Sequence, residues 1–394
     1  MTLLPTPFEP APGVFTLSTL DTVRPERVEP TITPLRDVAA LEREWRDLEE
    51  RANGSFFLSW LWIGTWLEGL PTDTTPLVLR GAVGGRTVAL GLFLPKRGGG
   101  LAGRQLFLHE TGDTGYDGLT IEYNGLLTDR HWTGAALSTC LSCLLRWIGP
   151  ARAVRLSNLT EPMARAMSAA TVGVGGGAVT RRTVVVYQVD LRPFWHGAGP
   201  AYLATLGTNT RAALRRSLRL YAERGAPTLY EAQTVAEAMA FYEALKAWHT
   251  ARWVARGWPG AFTMPAIDAF HRRLIARGVP TGAVRLCRVS AGTEIIGYLY
   301  NFAWKGRVYN YQSGFHFPTD NRLKPGMVSH YLAIENALAR GDTLYDFMAG
   351  ESSHKPRLAQ PTDAMVDLLL LPRAYLARAV ELVRYVKAVL LTRK

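Results

Sequence analysis

The chain has 394 residues, 47% of them hydrophobic and 20% charged; it is too apolar to be disordered and long enough to build two cores. Its 45 basic and 33 acidic residues leave a net charge of +12, which favours anionic partners such as phosphates, tRNA or acidic lipid. Cys140 and Cys143 form a C-x-x-C inside a helical pattern with no second pair to complete a zinc site, so no metal is expected, and the odd third thiol, Cys287, suits a reducing cytoplasm.

In chain order, residues 1–30 read as a flexible leader. Their prolines break any helix, and no basic stretch precedes an apolar one as in a signal peptide. No run of about 18 apolar residues spans a membrane. "TITPLRD" then reads as a strand, "VAALEREWRDLEERA" as a helix with Leu41, Trp45 and Leu48 on one side, and "SFFLSWLWIGTWLEGLP" as an aromatic helix stopped at Gly69-Leu70-Pro71. "PLVLRGAV", "RTVALGLFLPKR" and "RQLFLHETG" are three strand-type runs separated by glycine-rich turns. The cysteine helix covers Thr133 to Ile148, and "ARAVRLSNL" is a strand.

The order then repeats. "TVVVYQVDL", Thr183 to Leu191, is a strand. "TNTRAALRRSLRLYAERG" is a helix that Thr208 or Thr210 can cap and Gly225 can close. Leu214, Leu218 and Tyr221 form its apolar stripe, and Arg211, Arg215 and Arg219 a basic one. That basic stripe reads as a solvated face, a phosphate site or an RNA site; no DNA-binding motif surrounds it, which excludes DNA. Two further helices precede a meander, "GAVRLCRVSAG", "EIIGYLYNFAWKG" and "RVYNYQSGFHF", with tight turns. A helix closed by Gly341 and the strand "TLYDFMAG" follow. Both halves thus read strand, helices, meander, helix, strand. That predicts an α/β (α+β) protein with a duplicated domain, each copy a mixed, mostly antiparallel sheet flanked by helices, over residues 31–180 and 181–371.

This order resembles the GNAT acyltransferase fold, and its duplication resembles the FemAB-like tandem GNAT proteins, among them the CelD/BcsL-like group associated with cellulose and exopolysaccharide systems. The resemblance rests on "FFLSWLWIGTWLEGLP", on "NTRAALRRSLRLYAERG", and above all on the block from "YQSGFHFPTDNRLKPGM" to "DFMAGESSHKPRLA", with Pro325-Gly326, Asp346-Phe347, Gly350-Glu351 and Lys355. It implies a cytoplasmic N-acyltransferase that uses acetyl-CoA or another acyl-CoA as donor substrate. The family's pyrophosphate loop carries two glycines. Here "RLKPGM" keeps Arg322, has the single Gly326, and places Met327 where the second glycine stands. His316 occupies a position that is acidic in the relatives.

Local chemistry supports the same region. "NRLKPGM" opens a helix whose first turn offers unpaired N–H groups to an anion, with Arg322, Lys324, Gly326, Met327 and Ser329 as the expected cofactor-binding set. Transfer to an amine needs a proton acceptor for the amine and a donor for the leaving thiol. Asp346, Glu351, Tyr311 and His316 are the candidates. Asp346, between apolar neighbours, is either a base of raised pKa or the structural mate of a cation. Arg215, Arg219 and Lys355 are expected to bind an anionic or polymeric substrate.

The acceptor is an amine on a small molecule, glycan or peptide. Two alternatives stay open: an aminoacyl transferase using charged tRNA, and a non-catalytic GNAT-like scaffold in polysaccharide synthesis. The last segment, residues 372–394, reads as an amphipathic helix that docks on its own domain or lies on an anionic membrane surface.

Overall fold

The computed structural model describes residues 27–97, 104–149, 152–197, 201–255, 257, 260–350, 352 and 354–392. Most of the expected leader lies outside the described residues, but its end belongs to the fold: Val28 is buried and Glu29 opens the first strand. The first half runs β1 (Glu29–Pro34), α1 (Val38–Arg51), α2 (Trp60–Glu68), β2 (Leu77–Val83), β3 (Arg86–Arg97), β4 (Arg104–Leu108), α3 (Thr114–Asp117), β5 (Leu127–Thr128), α4 (Thr133–Ile148), β6 (Arg152–Thr160), α5 (Glu161–Gly173) and β7 (Gly177–Asp190). The second runs α6 (Tyr202–Thr205), α7 (Thr208–Ala222), β8 (Pro227–Glu231), α8 (Val235–Val254), α9 (Pro265–Gly278), β9 (Val284–Ala291), β10 (Glu294–Trp304), β11 (Arg307–Phe315), α10 (Pro325–Ala339), β12 (Leu344–Ala349), α11 (Lys355–Leu358), β13 (Gln360–Leu371) and α12 (Ala374–Thr392).

The strands form one mixed sheet in the order β1-β2-β3-β4-β6-β13-β7-β12-β11-β10-β9-β8, with β5 paired to β3. Two contacts are parallel, β4 with β6 and β11 with β12, and every other contact on the path is antiparallel. The order is therefore a palindrome about the β13–β7 pair. Each half contributes an antiparallel meander, a crossover helix (α4 or α10) and a parallel strand. The last strand of each half is exchanged: β7 pairs with β12 of the second half, and β13 pairs with β6 of the first. The boundary expected at residues 180 and 181 thus falls inside β7, a strand that belongs to both halves.

Cores cross the same boundary. Phe56 stacks on Phe302 at 4.2 Å, Trp62 meets Phe270 at 4.8 Å, and Trp304 Nε1 donates to the Gly54 carbonyl at 3.1 Å. The aromatic run of α2 therefore fills a core lined by both halves, which accounts for its lack of a polar face. Cys140 is a buried thiol in the first-half core.

Local rules explain several differences from the sequence reading. The N-cap of α7 is Gly207, with no side-chain cap, so neither Thr208 nor Thr210 caps it. Gly225 has φ +136°, and a Cβ there would lie 2.5 Å from Gly292 in the β9–β10 turn, so only glycine lets the two turns meet. Helix α5 and strands β8 and β13 are not among the elements expected from the sequence. A Thr160 hydroxyl capping Met163 N–H, with a proline in the first turn, is the start signal of α5. Asp363 and Asp367 interrupt the apolar run of β13; Asp367 is matched by Arg182 at 2.8 Å and by Asn158 N–H at 2.8 Å.

Either half alone lacks the partner of its inner strands. Residues 1–190 or 191–394 expressed separately should be aggregated or lack a cooperative melt, because open edges of long strands invite self-pairing. A monomeric half with a cooperative thermal transition, read by circular dichroism and gel filtration, would show that the exchanged strands are dispensable.

Candidate active site

Strands β11 and β12 stay together for only three register pairs, Arg307–Leu344, Val308–Tyr345 and Tyr309–Asp346. Past Asp346 they part. The register of β12 against β7 also slips between Asp346 and Ala349, Met348 takes φ +62°, and Gly350 takes φ +98°. The last paired residue before the divergence is thus a carboxylate with no exposed surface.

Asp346 is held by neutral donors. The Tyr123 hydroxyl donates to Oδ2 at 2.5 Å, Gln188 Nε2 donates to the same oxygen at 3.0 Å, and Met348 N–H donates to Oδ1 at 2.7 Å. Gln188 is itself fixed by the Thr362 hydroxyl at 2.9 Å. Burial raises the Asp346 pKa above the ordinary carboxylate value; the nearby Arg307 charge and these hydrogen bonds oppose the shift. The Arg307 guanidinium lies over the Tyr123 and Tyr309 rings at 5.3 and 5.4 Å. Tyr123, Gln188, Arg307 and Tyr309 also line a cavity of about 780 Å³ between the halves. Asp346 therefore sits one side chain behind that cavity and at the parting of β11 and β12.

Tyr123 comes from a segment of the first half that the sequence reading left unassigned. In the first half β4 and β6 also part, after Phe107 and Arg155. Residues 119–126 fill that gap. Asn124 bridges Leu159, its Nδ2 donates to the Leu108 carbonyl at 3.0 Å, and its Oδ1 accepts from His109 Nδ1 at 2.8 Å. His109 Nε2 accepts the Leu92 N–H, which settles the tautomer, and burial lowers its pKa to about 4. The first-half wedge is closed by its own chain.

The same segment delivers Glu122 to the end of β12, where Oε2 accepts the Ala349 N–H at 2.8 Å. Burial pushes its pKa up to about 7, opposed by that hydrogen bond and by the Lys355 charge. Lys355 Nζ donates to the carbonyls of Ala349 and Met348, at 2.7 and 3.3 Å, and burial lowers its pKa. Lys355 so closes the turn after β12. Glu351, one of the expected proton-transfer candidates, lies outside the described residues. The only local sequence signal for Glu122 is a single charge inside the apolar run "LTIEYNGLL".

The remaining expected residues fall in three places. Tyr311 is packed in the shared aromatic core, and its hydroxyl donates to the Leu119 carbonyl, so it pins the inserted segment. His316 is exposed beyond β11, with its ring beside Trp248 at 6.0 Å. The third group surrounds the start of α10. Arg322 is exposed and forked onto Asp320 at 2.8 Å. Lys324, the N-cap, makes no side-chain cap, and its N–H donates to Ser217 of α7 at 2.9 Å. Gly326 lies against the Phe315 ring, and Met327 is buried. Ser329 is fully buried with an unpaired hydroxyl facing Gly297, so its side chain points into the core rather than toward the loop.

Ser217 brings one face of α7 against α10, while Arg215 and Arg219, two residues to either side of it, are exposed cations on the opposite face of α7. In the wedge beyond Asp346, His354 stacks on His330 at 4.8 Å, between Phe315 and Phe347.

Residues 208–356, from α7 into α11, match the family described as an acetyltransferase (GNAT) domain. The matched stretch lies wholly in the second half of the chain. No curated protein matches the sequence. Among solved structures the chain is similar to FemX, at 10% identity over 85% of this chain and 96% of that one, with a TM-score of 0.54. It is similar to L-PGS from Bacillus licheniformis at 12% identity over 89% and 97%, TM-score 0.51. A conserved protein of unknown function from Bacteroides thetaiotaomicron VPI-5482 is similar at 10% identity over 86% and 99%, TM-score 0.50. At such identities the likeness is one of fold, and it extends over most of the chain.

Two measurements probe the cluster. Tyr123→Phe leaves a buried carboxylate short of a donor and should cost about 1.5–3 kcal/mol of stability, read from a denaturant midpoint. Glu122 is protonated in the fold up to about pH 7 but ionises near 4.5 when unfolded. Its contribution to stability is therefore full below 4.5 and is lost as pH rises toward 7. Glu122→Gln keeps the acceptor for Ala349 N–H and removes the titration. Above pH 7 it should be more stable than the parent, by up to about 3 kcal/mol, and the two should converge near pH 4.5. Parallel stability curves would contradict the raised pKa.

Proposed function

We propose that the protein is an N-acyltransferase that moves an acyl group, acetyl being the simplest, from acyl-CoA to an amine. The observation that carries this reading is the position of Asp346, at the parting of β11 and β12 and behind the wall of the inter-half cavity. The donor enters the wedge from the α10 side, and the acceptor amine enters from the cavity. The start of α10, with Arg322, Lys324 and the Gly326 backbone, takes the donor's phosphates. His354 swings out of the wedge to admit the donor arm. Past Tyr309 the β12-facing edge of β11 has no strand partner among the described residues, and its N–H groups would polarise the thioester carbonyl.

Asp346 accepts the proton that the amine must lose, and a raised pKa suits it to that task near neutral pH. Glu122, at the end of the same strand, is the second carboxylate of the site and holds a proton that the leaving thiolate can take. Trp304, Lys305 and Arg307 in the cavity wall fit a polar acceptor that carries anionic or hydroxyl groups. The resemblance to the CelD/BcsL-like group suggests an acceptor linked to exopolysaccharide production.

One observation favours a second donor class. Arg215, Arg216 and Arg219 form an exposed basic run on α7, away from the face that meets α10, and such a run suits the longer phosphate track of a charged tRNA.

Calorimetry with acetyl-CoA separates the two. The acyl-CoA reading expects saturable binding, weakened about tenfold or more by Arg322→Ala with Lys324→Ala and unchanged by Asp346→Asn, with thiol release to amines lost in the latter. No heat with acetyl-CoA, together with tRNA binding whose affinity falls steeply with salt and drops in Arg215→Ala with Arg219→Ala, would transfer the proposal to the aminoacyl reading.

A further inference from the structure

Helix α12 has two apolar faces. One is docked: Leu376, Ala377 and Val380 pack on Ala153, Val179, Leu369 and Leu371, and Arg384 Nη1 donates to the Thr180 carbonyl at 2.6 Å. The other is uncovered. Tyr375 is 65% exposed, Leu382 63%, Val383 62% and Tyr385 70%, with Val386 at 47%. At about 100° per residue, Tyr375, Leu382 and Val386 lie within about 40° of arc, flanked by Val383 and Tyr385 about 80° to either side. Scattered exposed apolar residues need no explanation, but five on one strip of one helix do. Docking accounts for only one side of this helix.

Charge decides what covers the other side. Residues 372–394 hold six basic residues, Arg373, Arg378, Arg384, Lys387, Arg393 and Lys394, and one acidic residue, Glu381, a net of five positive charges in a chain already at +12. A second copy would bring together two helices that each carry this excess of positive charge, with Arg378 of both beside the seam. An anionic lipid surface answers both features at once, since it buries the apolar strip and neutralises the flanking cations. Among the described residues no helix is long and apolar enough to cross a membrane, so the contact lies in the plane of the surface. We propose that the outer face of α12 docks the folded protein on an anionic membrane surface, with Tyr375, Leu382 and Val386 in the headgroup layer and Arg373 and Arg378 on the lipid phosphates.

The test uses the full chain and sedimentation with phosphatidylcholine vesicles, with and without phosphatidylglycerol. The anionic vesicles should take up at least about tenfold more protein, and added salt should release it. Leu382→Asp with Val386→Asp changes only exposed side chains, so its melting temperature should match the parent while its lipid uptake falls about tenfold or more. Arg373→Ser with Arg378→Ser should abolish the preference for anionic vesicles. Equal uptake by neutral and anionic vesicles, no uptake by either, or full uptake by the folded Leu382→Asp, Val386→Asp protein would each overturn the proposal. A parent that dimerises in sedimentation velocity, and a monomeric Leu382→Asp, Val386→Asp variant, would assign the face to a second copy instead.

Discussion

The pairing of β7 with β13 is the contact on which the rest of the molecule depends. It runs from Gln360–Gln188 to Leu371–Gly177 at the centre of the sheet. By chain order each strand ends one half, yet each lies against the parallel strand of the other. Neither half can close its sheet until the whole chain has been collected. The sequence separation of these pairs imposes a loop-closure cost that local helices do not meet. In return the sheet has no seam: the two meanders are held in one frame, and residues more than two hundred positions apart can be set within hydrogen-bond reach.

That frame explains the chemistry of Asp346. Its register partner on β7 is Gln188, and Gln188 is also the partner of Gln360 on β13. The exchanged strands therefore put an amide, not a cation, against the carboxylate. A buried carboxylate held by a salt bridge is fixed as an anion and is a poor proton acceptor. Held by Tyr123, Gln188 and a backbone N–H, with Arg307 at Coulombic rather than hydrogen-bonding range, it keeps a raised pKa. Two carboxylates along one short strand, Asp346 within β12 at the parting and Glu122 reaching Ala349 at its end, then face different surroundings. One meets neutral donors and the other meets Lys355. Paired acids whose environments differ can divide the accepting and donating of protons between them.

The repeat of strand, helices, meander and helix was legible because turn glycines and helical periodicity mark each element locally. Asp346 was legible as well, since a lone carboxylate between apolar residues demands an explanation. Its partners were not. Tyr123 lies 223 residues away in sequence, and nothing in the local pattern of either residue points to the other. Residues 109–126 look like a loop because "TGDTGYDG" is rich in glycine and acid. Yet His109, Thr120 and Tyr123 adopt positive φ without being glycine, a conformation that only surrounding structure imposes. The start of α10 was legible because Pro325 marks a first helical turn. What that signal could not supply is the direction of Ser329, which depends on how closely α10 approaches Gly297.

The two halves differ where their parallel strands part. The first gap is filled by backbone: residues 119–126 bridge β6, and His109 and Asn124 lock them in place. Opening it would break main-chain hydrogen bonds. The second gap holds side chains, chiefly His354 stacked on His330, and rotamer changes can move these at far lower cost than a ladder. The contents of the first gap also serve the second, because Tyr123 reaches Asp346, Glu122 reaches Ala349, and Leu119 receives the Tyr311 hydroxyl. A duplicated fold would offer two equivalent clefts. Here the contents of one gap have become the support for the other, so the two gaps are unlike even though the sheet itself is nearly symmetric.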